Sequence, residues 1–220
     1  MMRPVFLGLW LLLPAPLAAH PHIFVDTGLA LEVDDAGILR AVEVTWAYDD
    51  FYSLLIFEDL ALDGDLDGQL TPQELQTLQG FDLNWSPGFA GDLYVTTGPD
   101  APGQEQEQAQ VLGAPQHLST EVANGVITTR HRREVTAPVP VEAAGVTLRA
   151  YDPTYYTAYE ISRGVRVSGP CTATVTAPDL DRAYTLVEEL LYAMPADQAE
   201  DAYPEVGRAF ATTVMLDCDA

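Results

Sequence analysis

HIFVDTGLALEVDDAGILRAVEVTWAY, residues 22–48, is the stretch from which the fold is read. Its first half is rich in β-branched and aromatic residues and alternates apolar with polar positions in places, the period of a half-buried strand. Asp34–Gly37 (DDAG) carries turn chemistry. ILRAVEVTWAY then returns as a second strand, so the segment predicts a β-hairpin. Directly after it, DDFYSLLIFEDLAL changes to helical spacing, with Phe51, Leu54, Leu55, Glu58 and Leu62 recurring at intervals of three and four. Asp49 or Asp50 suits the N-cap of this helix, because a short carboxylate accepts an otherwise orphaned backbone N–H. Trp46, Phe51 and Tyr52 are expected in the core.

A second helix is expected over TPQELQTLQGF, with Thr71 as cap, Pro72 at its first position and Gly80 beyond its end. From Gly91 onward short strand-like runs dominate: GDLYVTT, QVLGAP, GVITTRHRREV, GVTLRAY, GVRVSG and CTATVTA. Residues 99–110 are polar and repetitive and read as a mobile loop. PDLDRAYTLVEELLYAM reads as a capped amphipathic helix and GRAFATTVMLDC as a closing strand. The expected class is α+β: a mostly antiparallel β-sheet with an inserted helix pair at about 49–80 and a C-terminal β–α–β unit.

Between the two early helices lies DGDLDGQLTPQE, residues 63–74. Its spacing fits the EF-hand calcium loop. Asp63, Asp65 and Asp67 occupy positions 1, 3 and 5, where short carboxylates at alternate positions converge on one point. Gly68 at position 6 permits the sharp reversal. Gln69 offers its backbone carbonyl, Thr71 acts through water, and Glu74 closes the shell with two oxygens. Leu70 at position 8 should point into the helix pair. Thr71-x-x-Glu74 is also a capping box, but capping alone does not require Asp-x-Asp-x-Asp-Gly. No second loop of this kind occurs, so a structural clip is expected rather than a switch.

The first nineteen residues have the layout of a secretory leader: Arg3, an apolar run from Val5 to Leu13, two prolines and a final Ala18–Ala19. The run is too short to span a bilayer. Cleavage after Ala19 leaves 201 of the 220 residues as one exported domain, 20–220, with no membrane span. It would also expose a free amine beside His20, with His22 two residues on. Amine and imidazole nitrogens suit nickel, cobalt, zinc or copper. Pro21 excludes the chelate that needs a deprotonated amide at the second position. Asp26 lies farther along the same face, and the alternative is a polar strand start with two solvated histidines.

Charge narrows the partners. The chain has no lysine, ten arginines and 33 acidic residues, a net charge of −23. That balance argues against nucleic acid and anionic membranes as partners and favours cations. The only basic cluster is TTRHRREV, in which Arg130 and Arg132 should face opposite to His131 and Arg133 and pair with acidic neighbours across strands. His117 has no companion motif. Two cysteines, Cys171 and Cys218, in an exported chain favour a disulfide over a thiolate metal pair. No GxSxG, HExxH or CxxC is present, so no hydrolase signature is visible, nor is a nucleotide-binding one.

HPHIFVDT after a leader, VTWAYDDFYS, the DGDLDGQLTPQEL loop and AYDPTYYTAY (150–159) together resemble one bacterial family of unknown function. That family is catalogued as the periplasmic component of an uncharacterised ABC-type transport system, and its genes often accompany nickel/cobalt permease genes. The resemblance implies a periplasmic location, a link to transition-metal handling and an inner-membrane metal permease as partner. It supplies no catalytic residues. From the residues themselves, YDPTYY is an Asp-Pro turn flanked by aromatics. Asp152 could alternatively be a remote metal ligand, with Tyr155 or Tyr156 covering the site. The sequence therefore predicts a periplasmic metal-binding accessory protein. Two alternatives stand beside it: a calcium-stabilised interaction module, and a copper enzyme built on the terminal histidines.

Overall fold

The structure is a computed structural model and describes residues 21–98, 109–110, 112–195 and 204–218. Residues 1–20, which comprise the expected leader and His20, lie outside the described residues, as do 99–108 of the expected polar loop. The two last residues of that loop, Ala109–Gln110, form a short strand instead.

The opening stretch forms the expected hairpin. β1 (Ile23–Val33) and β2 (Ile38–Tyr48) pair antiparallel, with Val25 opposite Tyr48 and Leu31 opposite Val42. The Asp34 carboxylate closes the turn by accepting the N–H groups of Ala36 and Ile38, at 2.9 and 3.0 Å. The helices follow: α1 (Asp50–Asp59), then α2 (Pro72–Leu78) and a 3-10 turn at Phe81–Leu83. Of the two candidate caps, Asp49 is the one used. It accepts the Tyr52 N–H at 2.8 Å and, through its other oxygen, the Phe24 N–H at 2.7 Å, which ties the helix start to the hairpin.

The remaining strands are β3 (Leu93–Thr97), β4 (Ala109–Gln110), β5 (Gln116–Ala123), β6 (Val126–Pro140), β7 (Val146–Ala150), β8 (Thr157–Glu160), β9 (Val165–Ser168), β10 (Thr172–Thr176) and β11 (Thr213–Asp217). A single turn α3 (Val141–Ala144) precedes β7, and α4 (Leu180–Ala193) precedes a 3-10 turn at Gly207–Phe210. They form two mixed-length sheets rather than one. In the first the order is β5-β6-β2-β1-β8, with β9 also pairing β1; in the second it is β10-β11-β7-β3-β4. All pairings are antiparallel except those of β1 with β8 and β9. The chain is therefore α+β with mostly antiparallel sheets.

The hairpin is itself the centre of the larger sheet. Two strands escaped the sequence reading. β5 is an edge strand whose side chains are mostly exposed, so HLSTEVA lacks the apolar alternation of a half-buried strand. β8 is four residues directly behind the YDPTYY turn.

Both sheets feed one core. Leu29, Leu31, Val42 and Val44 of the first meet Val95, Leu148 and Val214 of the second in a single cluster of buried side chains. Burying each such side chain stabilises the fold by about 1.5–3 kcal/mol relative to exposing it. Trp46 is buried and Tyr52 half-buried, but Phe51 is 66 % exposed. It follows the cap on the outer side of α1, whereas Ser53 and Phe57 are the helix residues turned inward. A smaller cluster of Ala183, Val206 and Phe210 holds α4, with Tyr155 against it.

Cys171 and Cys218 form a disulfide. It joins the residue before β10 to the residue after β11, two strands that pair antiparallel from Thr172–Asp217 to Thr176–Thr213. No helix among the described residues is long and apolar enough to cross a membrane.

Candidate metal centre

Residues 63–74 form the acidic loop between α1 and α2. The helix ends at Leu60, and Ala61 and Asp63, both with φ 53°, turn the chain back. Side chains rarely adopt this left-handed region, so the reversal is imposed by what surrounds it. Leu62 is buried next to Asp63 and anchors the start of the loop. At the other end Leu70 is packed against the core. Gly68 takes φ 74°, as position 6 of the pattern requires.

Asp63 organises the loop. Its carboxylate, 6 % exposed, accepts the N–H groups of Asp67 and Gly68 at 3.0 and 3.1 Å. Asp67 accepts the Gln69 N–H at 2.8 Å. Carboxylate oxygens of Asp63, Asp65 and Asp67 lie within 4.8 Å of one another. Among the described residues they are the only three His, Cys, Asp or Glu side chains close enough to share an ion.

Glu74 closes the loop on itself. One oxygen accepts the Asp63 N–H at 3.0 Å; the other accepts the Thr71 N–H at 2.8 Å and the Thr71 hydroxyl at 2.7 Å. Thr71 in return accepts the Glu74 N–H, so the capping box is present. These bonds, the Thr71 hydroxyl first, hold the Glu74 carboxyl below its ordinary range. The last acidic residue of the pattern is thus placed against its first. Gathering like charges without a cation is unfavourable, and no arginine pairs with these carboxylates among the described residues. An all-oxygen donor set of this charge suits a hard divalent cation; soft or imidazole-preferring metals have no ligand in it.

The second candidate site is only partly within view. His20 lies outside the described residues. His22 is exposed just before β1, its N–H donating to the Tyr156 carbonyl at 2.8 Å and its ring 4.8 Å from that of Tyr156. Asp26 accepts a hydrogen bond from the Ser162 hydroxyl. Asp152 is occupied as the turn-former: one oxygen accepts the N–H and hydroxyl of Thr154, the other the Thr157 N–H. The turn reading of YDPTYY therefore accounts for it.

The basic cluster divides as the alternation required. Arg130 pairs with Glu43, and Arg132 with Glu32 and Glu134, on the outer face. Arg133 is buried, donates to the carbonyls of Ala90, Leu112 and Gly113, and lies 4.9 Å over the Trp85 ring. His131 is 1 % exposed, between Trp46 at 4.6 Å and Trp85 at 5.8 Å, with no partner for either ring nitrogen among the described residues. Burial first, then the charge of Arg133 and the nearby His117, lowers its pKa to about 3.

Sequence reasoning missed the polar layer this histidine belongs to. Asp82 accepts both the Tyr48 hydroxyl at 2.8 Å and the Thr129 hydroxyl at 2.6 Å. Asp92 accepts the Tyr159 hydroxyl, and burial raises it to about 7. Nothing in the spacing of Asp82 or Asp92 distinguishes them from the many other acidic residues of this chain.

A comparison with curated proteins found no match. A family model, in contrast, matches almost the whole chain, residues 5–218, and its description is "Protein of unknown function (DUF1007)". The core strands, the acidic loop and the Cys171–Cys218 pair all fall within that match, and this protein belongs to the DUF1007 family.

Proposed function

We propose that this is an exported, periplasmic metal-binding accessory protein with one EF-hand calcium site at residues 63–74. Its second, transition-metal site would use His20 and His22 at the terminus left by leader cleavage. The observation that carries the reading is the convergence of Asp63, Asp65 and Asp67 within 4.8 Å, with Glu74 folded back to Asp63. The disulfide agrees with an oxidising compartment. Calcium there is abundant, so an affinity of roughly 10⁻⁴–10⁻³ M is sufficient for a structural clip. The amine and the two imidazoles would take nickel, cobalt, zinc or copper for an inner-membrane permease.

One observation favours a second reading, a calcium-stabilised interaction module. α1 presents Phe51, Leu54 and Leu55, 66, 56 and 38 % exposed, on the helix that leads into the acidic loop. In that reading the histidines are incidental, and this apolar face meets a protein partner.

Calorimetry of the mature protein tests both sites. Calcium should bind one equivalent, and Glu74→Gln, which retains a capping acceptor but loses the charge, should weaken it at least about tenfold. With calcium saturating, nickel, cobalt, zinc and copper should bind tightly to the protein starting at His20 and lose that binding when one residue precedes it. Calcium binding without a terminus-sensitive transition-metal site would leave the interaction module. Absence of calcium binding would reject the EF-hand assignment itself.

A further inference from the structure

The YDPTYY motif forms one wall of a cavity of about 680 Å³, within the size range of small-molecule sites. It lies between β8 with the outer side of β1, and α4 with the 3-10 turn Gly207–Phe210. Its lining is mostly apolar and includes the aromatic residues Phe24, Tyr151, Tyr155, Tyr184 and Phe210.

These rings are set by the backbone. Tyr155 takes φ 61°, a conformation rare for a bulky residue, with its N–H bonded to the Asp152 carbonyl at 2.9 Å. That conformation lays its ring flat on Phe210, at 3.8 Å and 9° between planes. Tyr184 stands edge-on to the same ring, at 5.1 Å and 72°. The three rings form one aromatic corner in the cavity wall. Gly207 locks the opposing walls together. Its N–H donates to the Pro153 carbonyl at 2.8 Å, and a Cβ on it would fall 1.7 Å from the Asp152 carbonyl oxygen.

Charge selects the ligand class. Among the described residues the lining holds no arginine, lysine or histidine and one carboxylate, Glu160. Glu160 is in register with Asp26 on the neighbouring strand, so two acids stand side by side on one face. Like charges so placed repel, and neither forms an ion pair among the described residues. Phe24 and Tyr184, 49 and 46 % exposed, leave apolar surface open beside them. Aromatic faces attract cations through their quadrupoles, most strongly where water is excluded. A carboxylate at the rim adds to that attraction. A neutral or anionic ligand would gain nothing from it.

We propose that this cavity is a binding site for a small organic cation, an alkylammonium group held against the Tyr155–Phe210–Tyr184 corner with Glu160 as its counter-charge. The site is separate from the acidic loop and does not depend on the calcium reading.

The test uses the mature protein with calcium held constant and compares choline with its neutral isostere 3,3-dimethylbutan-1-ol by calorimetry. Choline should bind saturably, and the alcohol at least about tenfold more weakly, since only the cation is drawn to the ring faces. Glu160→Gln should weaken choline several-fold without lowering thermal stability, and Tyr184→Leu should weaken it several-fold. If Tyr184→Leu fails to fold, Glu160→Gln, an exposed charge change, decides. Equal binding of the two probes would reduce the cavity to an apolar crevice and overturn the proposal. So would absence of saturable choline binding, or binding indifferent to Glu160→Gln.

Discussion

The hydroxyl of Tyr159 donates to the Asp92 carboxylate at 3.0 Å, joining β8 of the larger sheet to the residue before β3 of the smaller one. Asp92 is 8 % exposed, and its backbone carbonyl accepts the Tyr151 N–H at 2.9 Å. One acidic residue thus connects both sheets and the strand end that leads into the YDPTYY turn. Burial pushes its carboxyl up to about 7; the Tyr159 hydrogen bond opposes that rise and the nearby Asp152 adds to it.

A pH dependence follows. The unfolded chain ionises Asp92 near 4, the folded one near 7. Between those values the folded state binds the extra proton, so the contribution of Asp92 to stability falls as pH rises. The slope is at most about 1.4 kcal/mol per pH unit, flattening above 7. Asp92→Asn keeps an acceptor for Tyr159 and should abolish this fall. Denaturant melts at pH 4.5, 6 and 7.5 measure it, and an unchanged pH profile in the variant would contradict the assignment.

His131 acts in the opposite sense. Its folded pKa is about 3 against about 6.5 unfolded, so the unfolded state takes up the proton and stability is lost as pH falls through that window. His131→Leu removes two buried nitrogens that lack partners among the described residues. Replacing an unsatisfied polar group by an apolar one is nearly neutral or stabilising. The variant should match or exceed the parent near pH 7 and resist acid better between pH 4 and 6, as read by circular dichroism. Greater acid sensitivity than the parent would show that the imidazole is satisfied in solution.

Gly207→Ala places a methyl group where the Asp152 carbonyl already stands. The backbone must separate there, at a cost of about 1–3 kcal/mol. Thermal melting should show the loss, and tyrosine signals of Tyr155 and Tyr184 should shift with it. A melting temperature equal to the parent's would mean that the turn and the 3-10 segment do not pack this closely.

Replacing both Cys171 and Cys218 by serine opens a loop with a sequence separation of 47. The chain-entropy model gives roughly 4 kcal/mol of lost stability. Reduction of the parent by dithiothreitol should give the same shift in denaturant midpoint as the double variant. A midpoint that moves in neither would show that the pairing of β10 with β11 is sufficient without the bond.

The acidic loop was legible because its information is local. Residues 63–74 contain the three converging carboxylates and the glycine at the turn, and the capping of Thr71 by Glu74 is a contact three residues long. The hairpin, the Asp49 cap and the opposite facing of Arg130 and Arg132 against His131 and Arg133 were legible for the same reason. Each is a matter of period or of a neighbour within a few positions. The cysteine pairing needed only an even count and the expectation of export.

What the tertiary structure alone decided is which of two equivalent faces goes inward and what meets it there. Alternation in TTRHRREV separates His131 and Arg133 from their neighbours but does not bury them. Burial comes from Trp46 and Trp85, and from the carbonyls of Ala90, Leu112 and Gly113 that make a buried guanidinium tolerable. The helical spacing that contains Phe51 does not say that Ser53 and Phe57 face the core and Phe51 the solvent. In the same way YDPTYY determines its own turn. The cavity exists only because Gly207, more than fifty residues later, allows the 3-10 segment to close against Asp152. Short-range hydrogen bonds and periodicity are written in adjacent residues; desolvation is set by whatever the rest of the chain packs on top.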